Sequence, residues 1–284
     1  MAGLTRPVGE HLREWRQRRR LSQLDLALDA EISTRHLSFL ETGRSTPSRD
    51  MLLRLAEQLD IPLRERNVLL NAAGYAPVFL ERPLDDPALQ AARQAVELVI
   101  KGHEPYPALA VDRHWTLVAA NSAVAYLNEG ADAALLKPPV NVLRLALHPK
   151  GLAPRTANLP EWRAHILARL RRQIELTADP VLAELMRELS DYPKPSEDRV
   201  PKRDLESELA SVVVPFQLIT ANGILSLFST TTLFGTPLDI TVSELALECF
   251  YPSNAETSRE LLRLGAERSR TRADAELSSA SPAR

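Results

Sequence analysis

Apolar residues recur at helical spacing through the first 75 residues and give way further on to alternating and continuous apolar runs. Leu12, Trp15 and Arg19 follow Pro7, which suits a first helical turn, and predict a helix over about 7–19. Ser22 followed by Asp25 has the spacing of a capping box, so a second helix is expected over about 22–29 with Leu24, Ala27 and Leu28 as its apolar stripe. Ser33 can cap a third helix over 33–42 that turns Leu37 and Leu40 inward, and Gly43 stands where a left-handed stop belongs. A fourth helix opens at Ser48 and runs through Leu59, and a fifth spans about Leu63 to Ala73 before Gly74. This is an all-α unit over 1–75.

The pattern breaks at 76–87, where three prolines and no sustained period mark a linker. Beyond it the expected order is a helix at Ala91–Ile100, strands at 109–112 and 116–120, and short and long helices at 122–127, 160–177 and 180–189. A polar loop follows at 190–203, then strands at 212–221, 224–232 and 239–248 and a helix at 254–264. Residues 209–238 lack Asp, Glu, Lys and Arg, but Pro215, Gly235 and Pro237 interrupt them, and Asn222-Gly223 between β-branched and aromatic runs signals a hairpin instead of a membrane span. The second domain is placed at 88–265, and the polar stretch 266–284 is expected to be disordered.

Charge separates the two parts. Residues 1–75 hold 12 Arg, no Lys and 10 acidic residues, whereas the whole chain has a net charge of −2. Arg6, Arg13, Arg16, Arg18, Arg19 and Arg20 face only Glu10 and Glu14 at the extreme N-terminus, which suggests a polyanionic partner for the first domain. The single cysteine, Cys249, and the absence of a signal-like N-terminus point to a reducing, cytoplasmic setting. His103, His114, His148 and His165 show no metal-ligand spacing, so neither metal nor cofactor is expected. Asp112 and His114 lie at a turn with no nucleophile motif nearby, which favours structural hydrogen bonding over catalysis, and His148 before Pro149 ends a helix.

Two short helices joined by a tight turn form the unit that lays its second helix in the DNA major groove. Residues 21–48 resemble the helix-turn-helix of the XRE, or Cro/repressor-like, family through Leu21, Ser22, Gln23, Leu26, Ala27, Ile32, Ser33, Leu37, Leu40, Glu41, Gly43, Pro47 and Ser48. With Leu37 and Leu40 inward, Thr34, Arg35, Ser38 and Phe39 fall on outward or groove-facing positions, and Arg35 is the natural bidentate reader of guanine. The resemblance implies that Gln23 touches phosphate or orients the readers, that Thr34 and Phe39 fall where family members contact bases, and that Arg44, Ser45 and Thr46 meet phosphate, with Ser33 counted among the DNA-binding residues. Phe39 either packs on a thymine methyl or fills core space beside Leu40, and Arg18, Arg19 and Arg20 either neutralise phosphates or form a solvated face. The resemblance also implies a buried ion pair between Arg16 and Glu41. Glu31 stands where the family often has glycine; a left-handed residue there costs roughly 1–2 kcal/mol, so a somewhat altered turn is expected.

Residues 108–127 and 143–173 and the later strands resemble the ligand-binding domain of MmyB-like transcription regulators, with Leu147-His148-Pro149, Gly151-Leu152 and Asn158 as the motifs. The resemblance implies an α+β chain: a five-helix all-α helix-turn-helix domain followed by a PAS-like antiparallel sheet with helices on one face, enclosing a small-molecule pocket. Mostly aliphatic residues are available to line that pocket: Leu109, Val111, Leu117, Leu145, Phe216, Leu218 and Leu227. Alternation sets Val212, Val214, Phe216 and Leu218 on one strand face and Val213, Gln217 and Ile219 on the other, without saying which meets the helices.

These readings lead to a non-enzymatic, one-component transcription regulator: a homodimer on double-stranded DNA with an inverted-repeat operator and a small lipophilic, fatty-acid-like effector. The rival reading makes the C-terminal domain a dimerisation or protein-docking module without a small ligand.

Overall fold

A computed structural model of the chain describes residues 6–193, 213–234 and 239–279; helix side chains beyond residue 271 are not described. The chain is α+β and divides into two units. The first takes in the chain up to Pro83 together with 173–179 and the described part of 236–243, and the second takes the rest.

Five helices build the body of the first unit: α1 (Val8–Arg18), α2 (Gln23–Asp29), α3 (Thr34–Glu41), α4 (Arg49–Gln58) and α5 (Leu63–Ala72). Ser22, Ser33 and Ser48 cap α2, α3 and α4 by accepting the backbone N–H three residues on, and at Ser22 the Asp25 carboxylate completes a capping box. All five helices close with paired backbone bonds around one left-handed residue: Arg20, Glu31, Gly43, Asp60 and Gly74. Leu12, Trp15, Leu26, Leu37, Leu40, Leu52, Leu55 and Leu69 form the buried core.

The turn between α2 and α3 therefore keeps its left-handed form with a glutamate, at φ 55° for Glu31, and the altered turn expected from Glu31 is not seen. Glu31 N–H donates to Leu28 O at 3.1 Å and Ile32 N–H to Ala27 O at 2.9 Å, while Ile32 packs against the core. Two satisfied carbonyls and that apolar contact offset the strain of a non-glycine residue. Residues 75–82 fold back on the helices. Asn67 of α5 accepts from Val78 N–H and Phe79 N–H and donates to Phe79 O, and the Tyr75 hydroxyl donates to Pro47 O.

The second unit is built on one antiparallel sheet of β1 (Ala108–Val111), β2 (Leu117–Ala120), β3 (Phe216–Thr220), β4 (Gly223–Leu233) and β5 (Ala246–Pro252), in the order β2-β1-β5-β4-β3. The helices are α6 (Gln90–Gly102), α7 (Val124–Asn128), α8 (Val142–Leu147), α9 (Leu159–Thr177), α10 (Pro180–Asp191) and α12 (Ala255–Ser279), with α9 running on into the segment 173–179. Facing pairs share a side of an antiparallel sheet. Ala108, Ala110, Leu247 and Cys249 thus present one face, which packs against Val96 and Ile100 of α6. Leu109, Glu248 and Phe250 present the other, towards α7–α9. Helices gathered over one face describe α7–α9, while α6 covers the opposite side, so β1 is buried at all four positions.

Three local expectations are corrected. Residues 240–243 form a helical turn, α11 (Ile240–Ser243), instead of opening a strand; Asp239 accepts from Thr241 N–H, and β5 begins at Ala246. The strand expected from 212 starts at Phe216, after Pro215, with residue 212 itself outside the described residues. Residues 266–279 are not disordered: α12 continues to Ser279, because Ala, Arg, Glu and Leu are strong helix formers. Arg263 pairs with Glu260 and Glu267, and Tyr126 donates to Leu264 O with the Arg268 guanidinium 3.9 Å above its ring. Residues 280–284 and 194–203 of the expected tail and loop lie outside the described residues.

Candidate nucleic-acid interface and ligand cavity

The α2–turn–α3 segment positions the candidate reading residues. Leu37 and Leu40 are fully buried, which leaves Thr34, Ser38 and Phe39 partly exposed and Arg35 exposed. Ser33 spends its hydroxyl as the cap of α3, accepting from His36 N–H at 3.1 Å. Phe39 is half-buried, outside the fully buried core, and the guanidinium groups of Arg35 and Arg44 stand 5.4 and 5.8 Å from its ring centre. It holds one arginine of the helix and one of the following loop over the same apolar platform. Arg44 and Thr46 are exposed and Ser45 half-buried; Arg44 N–H and Ser45 N–H both donate to Phe39 O, fixing the loop to the end of α3.

Arg16 and Glu41 join α1 to the end of α3. Arg16 Nε and Nη2 donate to the two Glu41 oxygens at 2.6 and 3.0 Å, and Arg16 Nη1 donates to Leu21 O at 2.8 Å. The carboxylate raises the Arg16 pKa further, chiefly through its hydrogen bonds. Gln23 donates to Glu41 Oε2 at 2.8 Å, so its amide sits on this pair and ties the start of α2 to the reading helix. Of the N-terminal arginines, Arg19 is engaged inside the unit, donating to Leu59 O and Asp60 O at the end of α4, while Arg18 pairs with Glu14 and Arg20 is exposed. These contacts separate the three: Arg19 is a structural cap for α4, which an undifferentiated basic run could not reveal.

The second unit holds a cavity of about 100 Å³ between the sheet and α7–α9. Four of the seven apolar candidates line it: Leu109, Leu117, Leu145 and Phe216. Val111, Leu218 and Leu227 do not. They are at most 1% exposed and are ordinary core. Sequence reading missed the two tryptophans and the polar end. Trp115 sits left-handed in the β1–β2 turn, and Trp162 packs on Phe216 and stacks on His165. Trp162, His165, Ile166 and Arg169 all line the cavity from one stripe of α9, at spacings of three, four and seven that were legible in the sequence.

Arg169 lies 4.6 Å above the Trp115 ring and makes a bidentate pair with Glu248, one contact of which is 3.1 Å. Thr231, directly across from Glu248 in the sheet, accepts from Arg169 at 2.6 Å and donates to Glu248 at 2.9 Å. Burial, reinforced by the Arg169 charge, lowers the His165 pKa. Among the described residues no group of three His, Cys, Asp or Glu is arranged to hold a metal, and no helix is long and apolar enough to cross a membrane. Asp112 accepts from His114 N–H and Thr116 N–H, closing the turn before Trp115.

Comparison with known proteins agrees with both halves. A model described as the MmyB-like transcription regulator ligand binding domain matches residues 92–264, and a helix-turn-helix model matches residues 12–66. The chain is 36% identical over 110 residues to the HTH-type transcriptional regulator DdrOP3 of Deinococcus deserti, covering 34% of this chain and 83% of that protein. It is 35% identical over 113 residues to an HTH-type transcriptional regulatory protein of Methanoculleus marisnigri, covering 39% of this chain and 37% of that protein's length. Among solved structures, an RNA-binding light-oxygen-voltage receptor aligns with 93% of this chain and 65% of its own, at 11% identity and a TM-score of 0.23.

Proposed function

Because the chain belongs to the MmyB-like transcription regulators, with a helix-turn-helix domain ahead of a ligand-binding domain, we propose that it acts as a homodimer reading an inverted repeat through α3, with operator affinity set by a small lipophilic effector in the second unit. The observation that carries this reading is the pairing of an exposed Arg35, oriented over Phe39 on a capped helix, with a mostly apolar cavity lined by Leu109, Leu117, Leu145 and two tryptophans. The effector is fatty-acid-like in having a hydrocarbon part, which those walls suit.

Direct readout falls to Arg35, through the edge of a guanine, with Thr34, Ser38 and Phe39 beside it; Arg44, Ser45 and Thr46 meet phosphate. Gln23 acts here as a positioning residue through Glu41. A dimer presents two α3 helices, whose separation must match half-sites about 34–36 Å apart. An effector favouring one arrangement of the dimer shifts DNA affinity by its differential affinity for the two arrangements.

The test is fluorescence anisotropy on operator fragments selected from random duplex. Arg35→Ala relaxes base preference at one position by about 1–3 kcal/mol, whereas Arg44→Ala weakens all sequences alike and lowers the salt slope by about 1. An unaltered base preference in Arg35→Ala refutes the reader assignment. Native mass spectrometry addresses effector and dimer together: a dimer retaining a small lipophilic mass supports the reading, and a ligand-free domain whose operator affinity no lipophilic extract changes favours the docking alternative.

A further inference from the structure

The cavity is apolar on most of its wall and carries charge at one end only. Of its lining side chains, Arg169, Glu248 and His165 are the titratable ones. The charge of Arg169 is already matched by Glu248, a carboxylate only 5% exposed that is held in place by Thr231 as well. An ionised acid entering here gives up hydration and shares one guanidinium with a second carboxylate that is already buried and hydrogen-bonded. At His165 burial and the Arg169 charge both disfavour the cationic form, so it does not favour a second anion.

A neutral head meets no such conflict. Hydrogen bonds to Glu248 and Thr231 engage three N–H groups of Arg169 out of a guanidinium's five, so donors remain for an oxygen. A carboxylate has about four lone-pair sites, so Glu248 can accept from a further donor. Trp162, 8% exposed and part of the cavity wall, has a buried Nε1–H with no acceptor. The remaining arginine donors call for an acceptor oxygen, and Glu248, paired with that arginine, calls for a donor on the same head.

We propose that the cavity takes a neutral molecule with a short apolar body and a head that both donates and accepts, a hydroxyl or a primary amide, and discriminates against an ionised carboxylate. This rests on the cavity being the effector site and names the chemistry it selects. Its size limits the enclosed body: an engineered cavity of about 150 Å³ holds benzene, so about 100 Å³ encloses roughly six heavy atoms or fewer.

The experiment titrates the full chain at pH 7.5 with 1-butanol, butanamide and butanoate, reading tryptophan fluorescence and ligand-observed NMR. Butanol and butanamide are expected to bind at least 10-fold more tightly than butanoate. Glu248→Gln leaves Arg169 uncompensated and is expected to raise butanoate affinity to that of butanamide or above. Butanoate binding the unmodified chain as tightly as butanamide overturns the proposed head chemistry and leaves the cavity as an effector site. No response to any of the three removes the cavity reading and this inference with it. If Glu248→Gln does not fold, the ranking on the unmodified chain decides alone.

Discussion

Removing Glu41 tests how the reading helix is held. The Arg16 side chain is 11% exposed and that of Glu41 only 1%, so neither is re-solvated when its partner is lost. Glu41→Ala leaves the Arg16 guanidinium with one bond, to Leu21 O, and strands the Gln23 amide. An uncompensated buried charge costs about 3–5 kcal/mol, a large part of a typical domain's 5–15 kcal/mol. Native-state hydrogen exchange reads this locally, on peptides covering α1 and α3, without requiring both units to unfold together. At a factor of ten per 1.4 kcal/mol, exchange there accelerates roughly 150- to 4,000-fold, with little change in the sheet. Arg16→Met strands the carboxylate on Gln23 alone and falls in the same range. The double variant Arg16→Met/Glu41→Leu recovers most of the loss, because the desolvation of both charges disappears with them. A loss below about 1 kcal/mol in Glu41→Ala, or a double variant as unstable as the sum of the singles, refutes the account of a desolvated, coupled pair.

Two further outcomes follow from close contacts. A Cβ on Gly9 of α1 falls 2.3 Å from Leu40 O and 2.8 Å from Glu41 O, so Gly9→Ala must push α1 away from α3 and is expected to cost about 1–3 kcal/mol in urea unfolding; no loss in stability argues against this close approach. Glu260 donates nothing and accepts from Arg263 and from Asn222 at the β3–β4 turn, and the arginine bonds lower its carboxyl pKa to about 2. A depressed folded pKa gives stability that is full above the ordinary 4.5 and is lost as pH falls towards about 2; an NMR titration of Glu260 with a midpoint near 4.5 refutes the tether.

How much was legible in the sequence depended on how local each interaction is. Ser22, Ser33 and Ser48 cap helices through bonds spanning three residues, so the starts of α2, α3 and α4 could be placed from the chain alone. The left-handed stops at Gly43 and Gly74 were legible for the same reason. Arg20, Glu31 and Asp60 take the same conformation without glycine's signature, because backbone bonds and core contacts outweigh their local preference. The helix spacing at 162, 166 and 169 was visible too, but nothing in the sequence said that this stripe faces a cavity.

What the linear order of residues determined was therefore the two-part plan, the helix-turn-helix and the Asn222-Gly223 hairpin, all set by contacts between neighbours. Tertiary structure alone decided that Phe216 reaches the cavity while Leu218 and Leu227, on the same side of the sheet, do not, since alternation assigns a side chain to a face but not to what packs over that point of the face. It also decided the partnership of Arg169 with Glu248 across 79 residues and the capture of Gln23 by Glu41. A charged side chain has many possible partners along a chain, and desolvation makes one of them obligatory only once the elements have packed.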